Sequence, residues 1–129
     1  MPSIFTRIVN GEIPCHKVAE DERFLAFLDI EPLREGHTLV IPKREVDRLF
    51  DLPDEDLSGI LLFARGVARR IEAVVPCERV GLTVIGLEVP HAHIHLVPIN
   101  GIADMEFSRP RAPMSNEALA ATAERLRNA

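Results

Sequence analysis

The sequence predicts an α+β fold: an antiparallel sheet of about five strands with one long helix, a short N-terminal helix and a C-terminal helix. Two observations carry this. Apolar strand-like runs come as neighbours, three before and two after a long segment of helical periodicity. Neighbouring strands with helices between the groups favour antiparallel pairing over the alternation that builds parallel sheets.

Each element has its own signal. Over Ser3–Gly11, Ser3 is placed to cap a short helix, Ile4, Phe5 and Ile8 form its apolar face, and Asn10-Gly11 stops it. Lys17–Glu20 reads as a short strand, and Phe24–Asp29 as a stronger one, apolar until its last residue. The segment Glu31–Gly36 contains Pro32 and reads as a loop; His37–Pro42 is a strand ended by its proline, and Lys43-Arg44-Glu45 a polar turn. Asp54–Val75 carries Leu57, Ile60, Leu61, Ala64, Val67, Ala68, Ile71 and Val75 at three- and four-residue spacing. Acidic residues fill its first turn, Arg69 and Arg70 lie toward its end, as the helix dipole favours, and Pro76 ends it. Arg79–Ile85 and His91–Pro98 are strands joined by Gly86-Leu87-Glu88-Val89-Pro90, and Ser115–Arg127 is a serine-capped terminal helix.

Composition narrows the function. With 129 residues, 47% hydrophobic and 27% charged, the chain suits a single soluble domain over 1–129. A net charge of −5 argues against binding the nucleic-acid backbone, which needs a basic surface. Cys15 and Cys77 form no CxxC pair and read as free thiols. Neither a signal peptide nor a membrane-spanning run is evident, so a cytoplasmic protein without membrane partners is expected.

The chemistry is concentrated in His91-Ala92-His93-Ile94-His95-Leu96-Val97, where three of the five histidines fall within five residues. On a strand, alternate residues share a face. The three imidazoles then crowd one face, while Ala92, Ile94 and Leu96 enter the core. A merely solvated face more often uses Lys, Glu or Thr. Imidazoles side by side suit nucleophilic or acid–base chemistry, or a metal. His37, opening another strand, can supply a fourth if that strand is adjacent.

This segment is similar over all seven positions to the histidine-triad signature, His-φ-His-φ-His-φ-φ, of the HIT superfamily. Phe5–Pro14, Ala26–Ile30 and Gly36–Lys43 resemble the family's N-terminal helix and turn, ribose-binding strand end and fourth-histidine strand, so the resemblance spans residues 3–98 and leaves 99–129 as a C-terminal extension. It implies a HIT-like fold and a purine-nucleotide substrate, a nucleoside phosphoramidate or a dinucleoside polyphosphate, cleaved at the α-phosphate. By resemblance His93 is the nucleophile that becomes nucleotidylated, His95 contacts phosphate oxygens or the leaving group, and His91 and His37 support them. Asp29 binds ribose hydroxyls, and Phe5, Ile8, Ile13, Phe27 and Ile30 surround the base; from sequence alone Phe5, Ile8 and Phe27 would be core. Members of this size are usually homodimers, and no cofactor is implied.

Two departures stand out. Many relatives carry Gly-Gln-Ser/Thr-Val-aromatic before the triad, on a longer loop whose Gln and hydroxyl hold the α-phosphate; here Leu87 and Glu88 replace them, leaving that task to histidines or backbone N–H groups. Relatives with a structural zinc carry a CxxC and a later histidine, where this chain has Ser3, Thr6 and Glu45; two hydroxyls and a carboxylate do not make such a site, and no metal is expected. The shortened loop also admits another function, a nucleotide-binding module with little activity. A metal centre on the alternating histidines is the third reading; Leu96-Val97-Pro98 adds no further ligand to it.

Overall fold

The computed structural model describes residues 2–111 and 113–129. Its elements are α1 (Ile4–Val9), β1 (Lys17–Glu20), β2 (Phe24–Leu28), β3 (Thr38–Pro42), α2 (Asp54–Val74), β4 (Arg79–Thr83), β5 (Ile94–Ile99) and α3 (Asn116–Arg127), with short 3-10 turns at Leu49–Asp51 and Ile102–Met105. The strands form one antiparallel sheet in the order β1-β2-β3-β5-β4. The expected α+β class and element order are those observed.

Alternation sorts the central strands between two apolar layers. Phe24, Ala26 and Leu28 of β2, Val40 of β3, and Ile94 and Leu96 of β5 face α2 and α3, meeting Ile60, Ala64, Val67, Ile71, Leu119 and Leu126. Leu25, Phe27, Leu39 and Ile41 face the other way, onto Phe5 of α1. Every residue of β2 and β3 is therefore buried, which explains why both read as unbroken apolar runs. Each fully buried Leu or Ile contributes about 1.5–3 kcal/mol.

The helix ends follow the expected chemistry. Ser3 Oγ accepts from Thr6 N at 3.0 Å, and Gly11 reverses the chain beyond α1 at φ +80. Ser115 Oγ accepts from Ala118 N at 3.1 Å. Asp56, in the first turn of α2, is buried and accepts from Arg23 Nη2 at 2.7 Å and Arg44 Nε at 3.1 Å, which fastens the helix start to the sheet.

The triad strand is shorter than the sequence suggests. The ladder of β5 begins at Ile94, because His91-Ala92-His93 bonds elsewhere: the Ala92 N–H donates to Val46 O at 2.7 Å and the His91 N–H to Val89 O at 2.8 Å. Likewise β4 stops at Thr83, and Val84–Pro90 is loop.

Candidate active site

Strand register assembles the site. Phe27 of β2 lies opposite Leu39 of β3, Leu39 opposite His95 of β5, and His95 opposite Thr83 of β4. This row lies on the α1 side of the sheet. One step along, Leu28 pairs with Thr38, and past that pair the Asp29 N–H donates to His37 O at 3.0 Å. The β2–β3 loop thus puts Asp29 and His37 side by side, with His37 next to His95. Gly36 makes the return possible: its φ is +95, and a Cβ there would stand 3.0 Å from Val75 Cγ2.

The hydrogen bonds of the histidines have a direction. The Leu33 N–H donates to His37 Nδ1 at 3.0 Å, so the His37 proton is on Nε2. Nε2 then donates to His95 Nδ1 at 3.0 Å, which leaves the His95 proton on its own Nε2. His93 Nδ1–H donates to the His91 carbonyl at 2.7 Å, which leaves a lone pair on His93 Nε2. A donor and a lone pair are thus presented by two rings whose centroids are 5.0 Å apart.

Burial favours the neutral forms of His37, His95 and His91. His37 is pushed down to about 3, first by desolvation and then by His95 and Arg111. His95 is pushed down to about 4, first by desolvation, then by His93 and Arg111. Burial also lowers His91, against the raising pull of the Pro42 carbonyl. Asp29 is raised, mainly by burial, against the Glu31 N–H that donates to its Oδ1 at 2.8 Å.

These groups open into a cleft of about 750 Å³. His93, His95, Asp29, Phe5, Ile8, Ile13, Phe27 and Ile30 all line it. His91 and His37 do not; both are fully buried one layer behind. Phe5 and Phe27, edge to face at 5.6 Å, are core residues whose exposed edges make the cleft floor, so the two roles coincide. The rim is apolar and open: Ile30 is 66% and Leu87 89% exposed. Glu88 is also exposed on that rim.

Among the lining residues outside the expected set are Phe107, Arg109 and Arg111. Phe107 packs against His95 at 4.7 Å and His37 at 5.9 Å between ring centroids. The signal was an aromatic followed by Arg-Pro-Arg in an acidic chain, and Pro110 holds its neighbour extended.

Behind His91, Ser3, Thr6 and Glu45 converge. His91 Nε2–H donates to Pro42 O at 2.8 Å, so Ser3 Oγ–H donates to His91 Nδ1 at 2.7 Å. Glu45 Oε1 accepts from Ser3 N at 2.7 Å and Thr6 Oγ1 at 2.6 Å. The donors and acceptors answer one another, and the cluster ties α1 to the triad without needing an ion. Asp29, His37 and His95 also bring ligand atoms within 4.8 Å of one another. A metal on His37 Nε2 would require that nitrogen's lone pair and so a proton on Nδ1, facing the Leu33 N–H. Donor would meet donor, so this set does not suit a metal.

A model of the HIT domain matches residues 10–101. The chain belongs to the HIT family. An uncharacterised HIT-like protein of Methanocaldococcus jannaschii is 41% identical over 102 residues, covering 74% of this chain and 77% of that one. The adenosine 5'-monophosphoramidase hnt1 of Schizosaccharomyces pombe is 36% identical over 129 residues, covering 98% of this chain and 96% of that one. Among solved structures, a HIT-like protein involved in cell-cycle regulation from Bartonella henselae superposes with a TM-score of 0.85 at 27% identity, over 98% of this chain and 94% of that one. The HIT match ends at residue 101, so Phe107, Arg109 and Arg111 lie beyond it.

Proposed function

We propose that this HIT protein cleaves a purine nucleoside phosphoramidate or dinucleoside polyphosphate at the α-phosphate, through a nucleotidyl-His93 intermediate. The observation that carries the reading is the His93 tautomer: Nδ1–H is committed to the His91 carbonyl at 2.7 Å, and Nε2 keeps its lone pair. A neutral imidazole held this way is a competent nucleophile toward phosphorus. The phosphoramidase activity in the name of the fission-yeast relative supports it.

In the proposed reaction His93 Nε2 forms a bond to the α-phosphorus, and the P–N or P–O bond to the leaving group breaks, its electron pair departing with that group. His95 Nε2–H hydrogen-bonds the leaving atom. Water then attacks phosphorus and breaks the bond to Nε2. Its hydroxyl ends on the nucleotide, and its proton balances the one taken by the leaving group. Asp29 accepts from the ribose hydroxyls, and the base lies between the Phe5–Phe27 floor and the Ile8, Ile13 and Ile30 walls.

The second reading, a binding module with little turnover, draws on the loop, where exposed Leu87 and Glu88 offer no hydroxyl to a phosphate. Rapid quenching of excess enzyme with an AMP–amine conjugate separates the two. The expected result is an AMP adduct on the peptide carrying His93, formed and lost within one turnover. Binding with no adduct supports the module.

The chain acts as one domain in this account, and as a homodimer in the cytoplasm. An apolar groove of about 440 Å³, lined by Leu61, Leu62, Val80 and Leu82, runs beside edge strand β4 and suits a second copy joined sheet to sheet. Cys15 and Cys77 are free thiols, as a reducing compartment maintains, and no helix among the described residues is long and apolar enough to cross a membrane.

A further inference from the structure

A phosphate in this cleft meets little positive charge from His95. His37 and His95 are held neutral at pH 7, and Asp29, Glu31 and Glu88 line the same space. The cations on the lining are Arg109 and Arg111. They are not equivalent. Arg109 is paired with Asp104 at 3.5 Å and donates to Ala103 O at 2.9 Å, which turns it toward its own 3-10 turn. Arg111 makes no ion pair among the described residues. Among the described residues its guanidinium donates only to backbone carbonyls, those of Glu31 and Phe107, and it lies 5.4 Å from the Phe107 ring centroid.

That setting fixes the guanidinium without neutralising it. Phe107 packs on His95, and Glu31 follows the carboxylate of Asp29 by two residues, so Arg111 stands between the imidazole and ribose ends of the cleft. Its field also reaches Asp29, His37 and His95, secondary to burial in each case. A planar, charged donor array with spare N–H groups beside a nucleophile matches the geometry of phosphate.

Resting on the nucleotide reading above, we propose that Arg111 is the phosphate-holding residue of this site. It takes over from the hydroxyl-bearing loop that this chain lacks. The Phe107–Arg111 segment then acts as the anion-binding wall of the cleft, and the specificity it confers is for phosphate charge rather than for base or ribose. The phosphate it holds is either the α-phosphate or, in a dinucleoside polyphosphate, the departing chain.

The test compares AMP and adenosine binding to the wild type, Arg111→Ala and Arg111→Lys by calorimetry at low and high salt. Loss of a charge-assisted contact predicts an AMP affinity about tenfold or more weaker in Arg111→Ala, adenosine within about twofold of wild type, and a shallower salt dependence. Arg111→Lys should recover part of the loss. Unchanged AMP affinity overturns the proposal, and so does an equal loss for adenosine, which would make Arg111 a strut for the Phe107 segment. Wild-type protein that binds neither ligand would instead refute the nucleotide reading itself. Turnover locates the phosphate: a lower kcat/KM for both an AMP–amine conjugate and a diadenosine polyphosphate assigns the α-phosphate, and a loss confined to the polyphosphate assigns the departing chain.

Discussion

His37 Nε2 lies 3.0 Å from His95 Nδ1, and the Leu33 N–H on the opposite nitrogen of His37 makes this a one-way hydrogen bond. A proton added to His95 would sit on Nδ1, facing the His37 donor; one added to His37 would face the Leu33 N–H. Burial and hydrogen bonding therefore both oppose charging the pair.

Stability should consequently depend on pH. The two groups titrate at an ordinary histidine value of 6.5 in the unfolded chain, but at about 3 and about 4 in the folded protein. Above the unfolded value both states are neutral and the contribution is complete. As pH falls below it, the unfolded chain takes up protons that the native pair refuses, and stability is lost toward the folded values. The expected slope is at most about 1.4 kcal/mol per pH unit for each histidine. Denaturant unfolding at pH 7 and pH 5 checks this, and His37→Gln should flatten the profile. A wild-type profile flat over that interval would show that the pair accepts protons when folded.

Ser3→Ala should act on the triad from behind. It removes the donor to the buried His91 Nδ1. An unsatisfied buried acceptor costs about 1–3 kcal/mol. Because the His91 carbonyl orients His93, kcat should fall while KM holds. Thermal unfolding with steady-state kinetics reads both; a variant that is less stable but keeps its kcat would show that Ser3 serves only as the cap of α1.

Asp29→Ala should weaken nucleotides that carry both ribose hydroxyls. A charge-assisted hydrogen bond is worth roughly 1.5–3 kcal/mol, or about ten- to a hundredfold in affinity. A 2',3'-dideoxy nucleotide should lose little. Equal losses for the two ligands would remove the ribose role from Asp29 and leave it as the brace of the Glu31 turn.

Glu88 lies on the rim with its side chain exposed. Solvent there screens its charge, so Glu88→Ser should leave kcat/KM within about twofold at low and high salt alike. A larger gain at low salt that disappears at high salt would mean that the carboxylate swings inward over the bound phosphate.

The fold was legible in the sequence because period and breaker residues agree. The α2 stripe, the serine caps and the proline stops each mark an element that the structure contains. The triad was legible as a face but not as a complete strand. What ends the ladder at Ile94 is long-range: Ala92 bonds to Val46, and the His91 ring to Pro42. Phe5 and Phe27 read as core and are core; only the cleft above them gives the pair a second surface. Phe107 and Arg111 were hidden for a different reason. They follow the triad by more than ten residues in an irregular segment with no periodicity, and only the folded chain brings that segment back over His95.

The central claim is that phosphorus is passed through His93, and the stereochemistry at that atom tests it most directly. A substrate with a chiral α-phosphorothioate, hydrolysed in heavy-oxygen water, reports the number of displacements. Attack by His93 Nε2 followed by attack by water inverts the centre twice, so the account predicts net retention. Net inversion would mean that water attacks directly, with the imidazoles only holding the phosphate, and would contradict it.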